Sequence, residues 1–377
     1  MSNTLKLGNG QWATGKDTLL GYNSENNNIK PLPFSFSRDS SATVVNKDGL
    51  IETVGSGEPR IDFKDNTKGA LLLEPQRSNL FTYSEDFSQS YWNKNSASVT
   101  LTSEIAPNGT SNSVYNLVGT AANLWSAGTI GTQHTISFYI KSNGQGKDKF
   151  KLRLGNNTSI EYTATNEWVR YEYTDTPTTS VYSITTSSAP NDEYDLLVWG
   201  GQSEVGSYAT SYIPTSGSAV TRVADACNNG GNEQVINSTE GVLYACLSDI
   251  KSQDFDSIVI NNGIADENNQ VRIWFYNNTI TYQYKVGSNS SAQITTSTID
   301  LTLDTKIACS WKLNEFKLFV NGSKINQDLL GNVLPIGTLE SVQFKRGNNT
   351  GNFYGKTKDI RVYTTALSDV ELTALTQ

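Results

Sequence analysis

Apolar and polar residues alternate with period two along much of this chain. In HTISFYIKS, Ile136, Phe138 and Ile140 fall on one side, and Ser137, Tyr139 and Lys141 on the other. KFKLRLG sets Phe150, Leu152 and Leu154 against Lys151 and Arg153, and EWVRYEYTD sets Trp168, Arg170 and Glu172 against Val169, Tyr171 and Tyr173. Period two with one apolar face is the pattern of an antiparallel sheet wetted on one side. Such runs recur from residue 81 to residue 215 at roughly the 8–12-residue spacing of a β-sandwich. A second series begins at residue 235: GVLYACLSDI, DSIVINNG, QVRIWFYNN, TITYQYKVG, TKIACSWKLN, EFKLFVNGSKI and SVQFKRG. Within it, NNTI and LNEF read as hairpin connections. The end, TALSDVELTALTQ, is the clearest helix signal, with Ser368 as N-cap and Glu371 completing a capping box.

These patterns divide the chain. Residues 1–33 are polar, broken by Pro31 and Pro33, and include NSENNN, which has no apolar period. They predict an extended arm that needs a partner surface to order it and whose removal leaves a folded chain. Residues 34–80 predict a small β-segment packed on the next domain. It has a tight turn at Asp48-Gly49, where glycine accepts positive φ, and an apolar run, GALLLEPQ, that ends at Pro75. Residues 81–222 predict one sandwich, 223–234 a Gly- and Asn-rich linker, and 235–377 a second sandwich. The expected fold class is all-β: tandem antiparallel jelly-roll β-sandwiches preceded by an extended N-terminal arm.

Composition narrows the partners. Of 377 residues, 36% are hydrophobic and 18% charged, so uncharged polar residues dominate and suit strands and loops better than long helices. The net charge of −8 and scattered basic residues disfavour nucleic acid. No apolar run reaches the roughly 18–20 residues of a membrane span, and no membrane insertion is expected. The opening MSNTLKLGNGQWATG lacks a basic stretch followed by an apolar one, so no secretory signal is expected. Three cysteines, Cys227, Cys246 and Cys309, cannot close a disulfide framework and read as small buried residues of a protein made in a reducing cytoplasm.

Catalytic patterns are weak. Asp192, Glu193 and Asp195 in NDEYDLLV come closest to the paired carboxylates of a glycosidase, but they read as a solvated acidic turn. His134, the one histidine, has no Gly-x-Ser-x-Gly elbow beside it, and Cys246 and Cys309 sit in apolar strand text. No enzyme, no catalytic residue and no cofactor is expected.

Several spaced motifs resemble a module recurrent in bacteriophage structural proteins. They are SRDSSATVVNKDGLIETV (37–54), PRIDF…LLLEPQRSNL (59–80), SNLFTYSEDFSQSYWNK (78–94) and LVWGGQSEVGSYATSYIPTSGSAVTR (197–222). KIACSWKLNEFKLFVNGSKI (306–325) and FYGKTKDIRVYTTALSDVELTAL (353–375) resemble the concanavalin A-like, laminin-G-like jelly roll. The resemblance implies carbohydrate-binding-module-like and lectin-like sandwiches on a virion fibre, tail or capsid surface, assembled in a host cytoplasm. It also implies other virion proteins as partners through the N-terminal region, and the arm itself predicts a homo-oligomer. Sandwiches of this kind often hold one structural calcium, for which Asp254, Asp256, Asp266, Glu267 and Asn268 offer oxygens. Related binding modules close on an Asp-Asp pair, whereas here Gly200-Gly201 occupies that text, which argues against calcium in the middle domain.

Glycan binding is the sharper expectation. Sugar rings stack an apolar face on Trp or Tyr, and their hydroxyls take Asn, Asp, Gln and Arg. The candidates outside clean core positions are Trp125, Tyr91, Trp92, Tyr282, Tyr284 and Tyr354, with Trp125 the best single choice because a small-residue stretch leads into it. Trp168, Trp199 and Trp311 read as core. Two alternatives stay open: a virion building block making protein–protein contacts only, and a glycan depolymerase. Weak glycan contacts in many copies would gain strength through multivalency.

Overall fold

Leu5 and Leu7, separated by Lys6, are both fully buried, and the strand that holds them, Leu5–Gly8, lies antiparallel to Gly355–Tyr363 near the other end of the chain. This pairing sets the architecture of the computed structural model, which describes residues 4–25, 28–186, 192–251, 254–264, 267–348 and 350–377. The chain start is therefore not an extended arm. Thr18–Glu25 pairs with Leu5–Gly8, and Asn28–Ser37 pairs with Thr18–Glu25. Pro31 and Pro33 do not interrupt that last strand. Ala226–Asn228 pairs only with Ser35–Ser37, so both prolines lie on an open edge, where a missing N–H is tolerated.

The same sheet continues from Gly355–Tyr363 through Glu240–Ser248, Thr305–Lys312, Glu315–Val320 and Ser323–Asp328, all antiparallel. A five-stranded sheet faces it, in the order Asn289–Thr295, Thr279–Val286, Gln270–Tyr276, Asp254–Asn261 and Ser341–Gln343. Between the two sheets lies one core that takes Leu5, Leu7, Phe34 and Phe36 from the chain start, together with Trp311, Phe316, Ile360 and Val362 from its end. Both hairpins of the second series form as expected. Asn277 and Asn278 take positive φ between Tyr276 and its partner Thr279, and Asn314 does so between Lys312 and its partner Glu315. Helix Asp369–Thr376 carries the expected capping box: Ser368 Oγ accepts from Glu371 N, and Glu371 Oε2 accepts from Ser368 N at 2.8 Å.

The middle sandwich is an insertion into this one. Arg77–Asn79, where the chain enters it, pairs with Val220–Arg222, where the chain leaves. Its strands run in the order Asn157–Thr158, Lys149–Leu154, Val181–Thr185, Tyr115–Ala127, Glu193–Val205, His134–Ser142 and Val169–Asp175. The alternating residues Ile136, Phe138, Ile140, Phe150, Leu152 and Leu154 all enter its core.

Residues 38–75 and 222–225 lock the two bodies together, so the segment expected to be a free linker is partly buried. Arg38, Arg60 and Arg222 are buried with Glu74 and Asp225. Arg60 pairs with both carboxylates, Arg38 with Asp225 at 3.1 Å, and Arg222 with Glu74 at 2.6 Å. From the middle sandwich Ser211 donates N–H and O–H to Glu74, each at 2.7 Å. Burial opposes charge on Glu74, but Arg222, Arg60 and the Ser211 bonds outweigh it and hold this carboxyl far below the usual range. The texts SRDS, PRIDF, LLLEPQ and VTRVAD thus meet in space, each supplying at least one charge to the same buried cluster.

Candidate functional site

Strand Tyr115–Ala127 changes partners along its length. Its first part, Tyr115–Thr120, pairs with Glu193–Val198, and Asn123–Ala127 pairs with Val181–Thr185. The switch falls at an irregularity in the pairing with Asn93–Leu101, where Ala121 takes φ 44°. Beyond it Ala122 and Leu124 point into the core, so Asn123 and Trp125 point out.

The outward face is polar and continuous across four strands. One row runs Asn93, Trp125, Ser183, Arg153, and the next runs Asn95, Asn123, Thr185, Lys151. Trp125 is half-buried at the centre. Three side-chain atoms here are shielded from solvent and have no hydrogen-bond partner among the described residues: Trp125 Nε1, Asn123 Oδ1 and Ser183 Oγ. Trp125 sits directly opposite Ser183, and Asn123 is two residues from Trp125 on the same strand, so the three form one patch. An unmade bond of this kind costs about 1–3 kcal/mol. The patch holds a donor, an acceptor and a hydroxyl that can be either, beside an indole. Arg153 is fixed at its margin by donating Nε–H to the Gly155 carbonyl at 2.6 Å.

The other aromatic candidates go elsewhere. Trp92 is in the middle core, donating its indole N–H to the Tyr83 carbonyl at 2.9 Å, and Tyr91 packs edge-on against it, half-buried. Tyr282 and Tyr284 lie fully in the C-terminal core, not on a stacking platform. Tyr282 donates to the Ser310 carbonyl at 3.1 Å and Tyr284 to the Ser238 carbonyl at 2.6 Å, so both hydroxyls are satisfied inside. Tyr354 is half-buried and lines a cavity of about 110 Å³ where the two bodies meet, with Tyr208, Asp62 and Lys356. Lys356 and Asp62 form a 3.1 Å ion pair in that wall. Of the tryptophans read as core, Trp199 and Trp311 are fully buried, whereas Trp168 is only half-buried and donates to the Ile105 carbonyl.

The acidic stretch is engaged with neighbours. Glu193 pairs with Lys147 at 2.7 Å, and Asp195 Oδ1 accepts from Asn116 and Asn143 at 2.7 and 2.8 Å. His134 is enclosed, with Nε2 2.7 Å from Thr129 Oγ1, and burial lowers its pKa. Burial also raises the thiols of Cys227, Cys309 and Cys246, the last to about 11, which leaves them as unreactive thiols at neutral pH. Among the described residues no group of three or more His, Cys, Asp or Glu side chains is placed to hold a metal. Of the expected calcium ligands, Asp266 and the Asp254 side chain lie outside what is described. No helix among the described residues is long and apolar enough to cross a membrane.

No protein-family model matches the chain, and no curated protein matches it. Among solved structures it is similar to the Ruminococcus gnavus IT-sialidase CBM40 bound to α2,3-sialyllactose, with 15% identity over 40% of this chain and 94% of that one, at a TM-score of 0.33. It is also similar to domain 4 of AbnA, an extracellular arabinanase from Geobacillus stearothermophilus, in complex with arabinotriose, with 15% identity over 46% of this chain and 84% of that one, at a TM-score of 0.33. A third is the heptameric SAP-like pentraxin from Limulus polyphemus, with 15% identity over 38% of this chain and 71% of that one, at a TM-score of 0.31. These are partial overlaps between β-sandwich proteins, and no residue role is transferred from them.

Proposed function

We propose that this chain is a non-catalytic carbohydrate-binding protein and that the Trp125 face of its middle sandwich holds the sugar. The observation that carries this is the patch of Trp125 Nε1, Asn123 Oδ1 and Ser183 Oγ, three polar atoms without partners among the described residues, around one half-buried indole. Adjacent sugar hydroxyls both donate and accept, so a ring stacked on the open part of the Trp125 indole would reach these atoms once the side chains that shield them turn aside. The same set suits a hydroxyl-rich ligand better than an apolar one, which would leave each atom unpaired.

The phage-like texts of residues 37–54, 59–80, 78–94 and 197–222 support a place on a virion surface, where many copies would multiply a weak affinity. Attachment to other virion proteins would then use a surface of the folded body, since Leu5–Gly8, Thr18–Glu25 and Asn28–Ser37 are strands of its sheet. One observation favours a second reading, that of a building block with protein contacts only: Leu329, Leu330 and Ile336 expose apolar side chains close together in sequence.

A glycan array and whole bacterial cells, probed with the labelled chain and with Trp125→Ala, separate the two. Saturable binding that the substitution removes is expected. Binding that survives it would move the site off this face, and no binding at high valency would favour the building-block reading.

A further inference from the structure

The five-stranded sheet of the C-terminal sandwich has an outer face as well, and its register assembles a second set of polar groups there. Ile258, Ile273, Ile280 and Tyr282 point into the core. Their neighbours Ser257, Arg272, Trp274, Thr281 and Gln283 therefore point away from it. Arg272 sits opposite Gln283, and Gln283 opposite Gln293, so a guanidinium and two amides line up across three strands. At strand spacing this row is about 10 Å long, enough for a sugar ring and its substituents.

Arg272 is held in place without being neutralised. Its Nε donates to Ser257 Oγ at 3.0 Å, and its guanidinium carbon lies 4.8 Å from the centre of the Trp274 ring. One Nη reaches the Phe255 carbonyl at 3.4 Å, and Nη1 has no partner among the described residues. No ion pair forms on it there, in contrast to Arg38, Arg60 and Arg222, each of which meets a carboxylate. Burial disfavours its charge; Glu267 offsets part of this and Arg346 adds to it, leaving the group at about 10. It stays cationic at neutral pH, half-desolvated, and with no ion-pair partner among the described residues. At the rim of the same face Gln270, 1% exposed, leaves Oε1 without a partner among the described residues while its amide donates to the Glu267 carbonyl at 3.2 Å.

We propose that this face is a second ligand site, selective for a sugar that carries a carboxylate. The carboxylate would take the free edge of the Arg272 guanidinium, whose planar fork matches it. The ring would lie beside Trp274, with hydroxyls meeting the amides of Gln283 and Gln293. An acidic peptide is the weaker match, because peptides add to sheet edges through their backbones and this is a sheet face rich in side-chain amides. The site is independent of the Trp125 face.

The test uses the full chain, isotope-labelled, and follows Trp274 and Arg272 side-chain N–H resonances. The probes are the methyl glycosides of glucuronate, galacturonate and N-acetylneuraminate, with methyl glucoside and methyl galactoside as neutral counterparts and tetraglutamate as the peptide. At least one acidic sugar is expected to shift these resonances saturably in the millimolar range, and Arg272→Gln to weaken it about tenfold or more. Arg272→Lys should retain part of the affinity, and Trp125→Ala all of it, which keeps this result separate from the fate of the Trp125 reading. Equal shifts with the neutral sugars, stronger binding of tetraglutamate, or no shift with any of the three acids would each overturn the proposal. Backbone spectra of the variants show whether the fold is retained.

Discussion

Arg60 Nη1 lies 2.6 Å from Glu74 Oε2, with both side chains enclosed, while its Nη2 donates to Asp225. Through these bonds one guanidinium joins the segment before the middle sandwich to the segment after it. Arg60→Met is expected to cost about 3–5 kcal/mol in urea denaturation, because it leaves two buried carboxylates short of a partner. A loss below about 1 kcal/mol would show that Arg38 and Arg222 suffice without it.

Acid should loosen this joint. Glu74 is held below its unfolded pKa by Arg222 and Arg60 despite burial, so its contribution is complete above the unfolded value of about 4.3 and declines as pH falls below it. Stability measured from pH 5 to pH 2 is expected to fall less steeply in Glu74→Gln than in the parent chain, from a lower starting point.

His134 titrates in a separate window. Burial lowers its pKa, so its neutral form is favoured in the folded chain and the unfolded chain binds the extra proton first. Stability should therefore drop as pH falls below about 6.5, and as His134 is the one histidine, His134→Asn should flatten that part of the profile.

The two tryptophans proposed together as sugar contacts should part company. Trp92→Ala is expected to cost about 3–5 kcal/mol, since its ring fills the middle core among Phe81, Phe87 and Phe138. Trp125→Ala, at a half-buried surface position, should cost about 1 kcal/mol or less and act on binding instead. Thermal melts of both variants check this.

Ser368→Ala removes the N-cap oxygen of the helix and should destabilise the chain by about 0.5–2 kcal/mol. A neutral outcome would mean that packing of Leu367 and Leu372 holds the helix without its cap.

What could be read from the chain was local. The parity of Ile136, Phe138 and Ile140, the Asn277-Asn278 turn and the Ser368–Glu371 box are each written within a few residues. The place of Leu5–Gly8 is not, because its partner strand, Gly355–Tyr363, lies near the far end of the chain and LKLG alone is too short to show a period. The buried charges were hidden for the same reason: Arg60, Glu74 and Asp225 are scattered in sequence, and single charges look solvated until their partners are known. The inward place of Tyr282 and Tyr284 did carry a local signal. They alternate with Thr281 and Gln283, and in a half-buried strand the polar pair takes the open face. Trp125 was legible as a non-core aromatic from its small-residue approach, but the orphaned Asn123 and Ser183 beside it needed the register of two strands.

The indole N–H of Trp125 reports most directly on the central claim. The chain has seven tryptophans; Trp12, Trp92, Trp168 and Trp311 donate to backbone carbonyls, while Trp125 Nε1 and the fully buried Trp199 Nε1 have no partner among the described residues. Titrating a glycan selected on the array into the labelled chain should move the Trp125 indole resonance saturably and leave those four in place. A glycan that binds without moving it would contradict the Trp125 site.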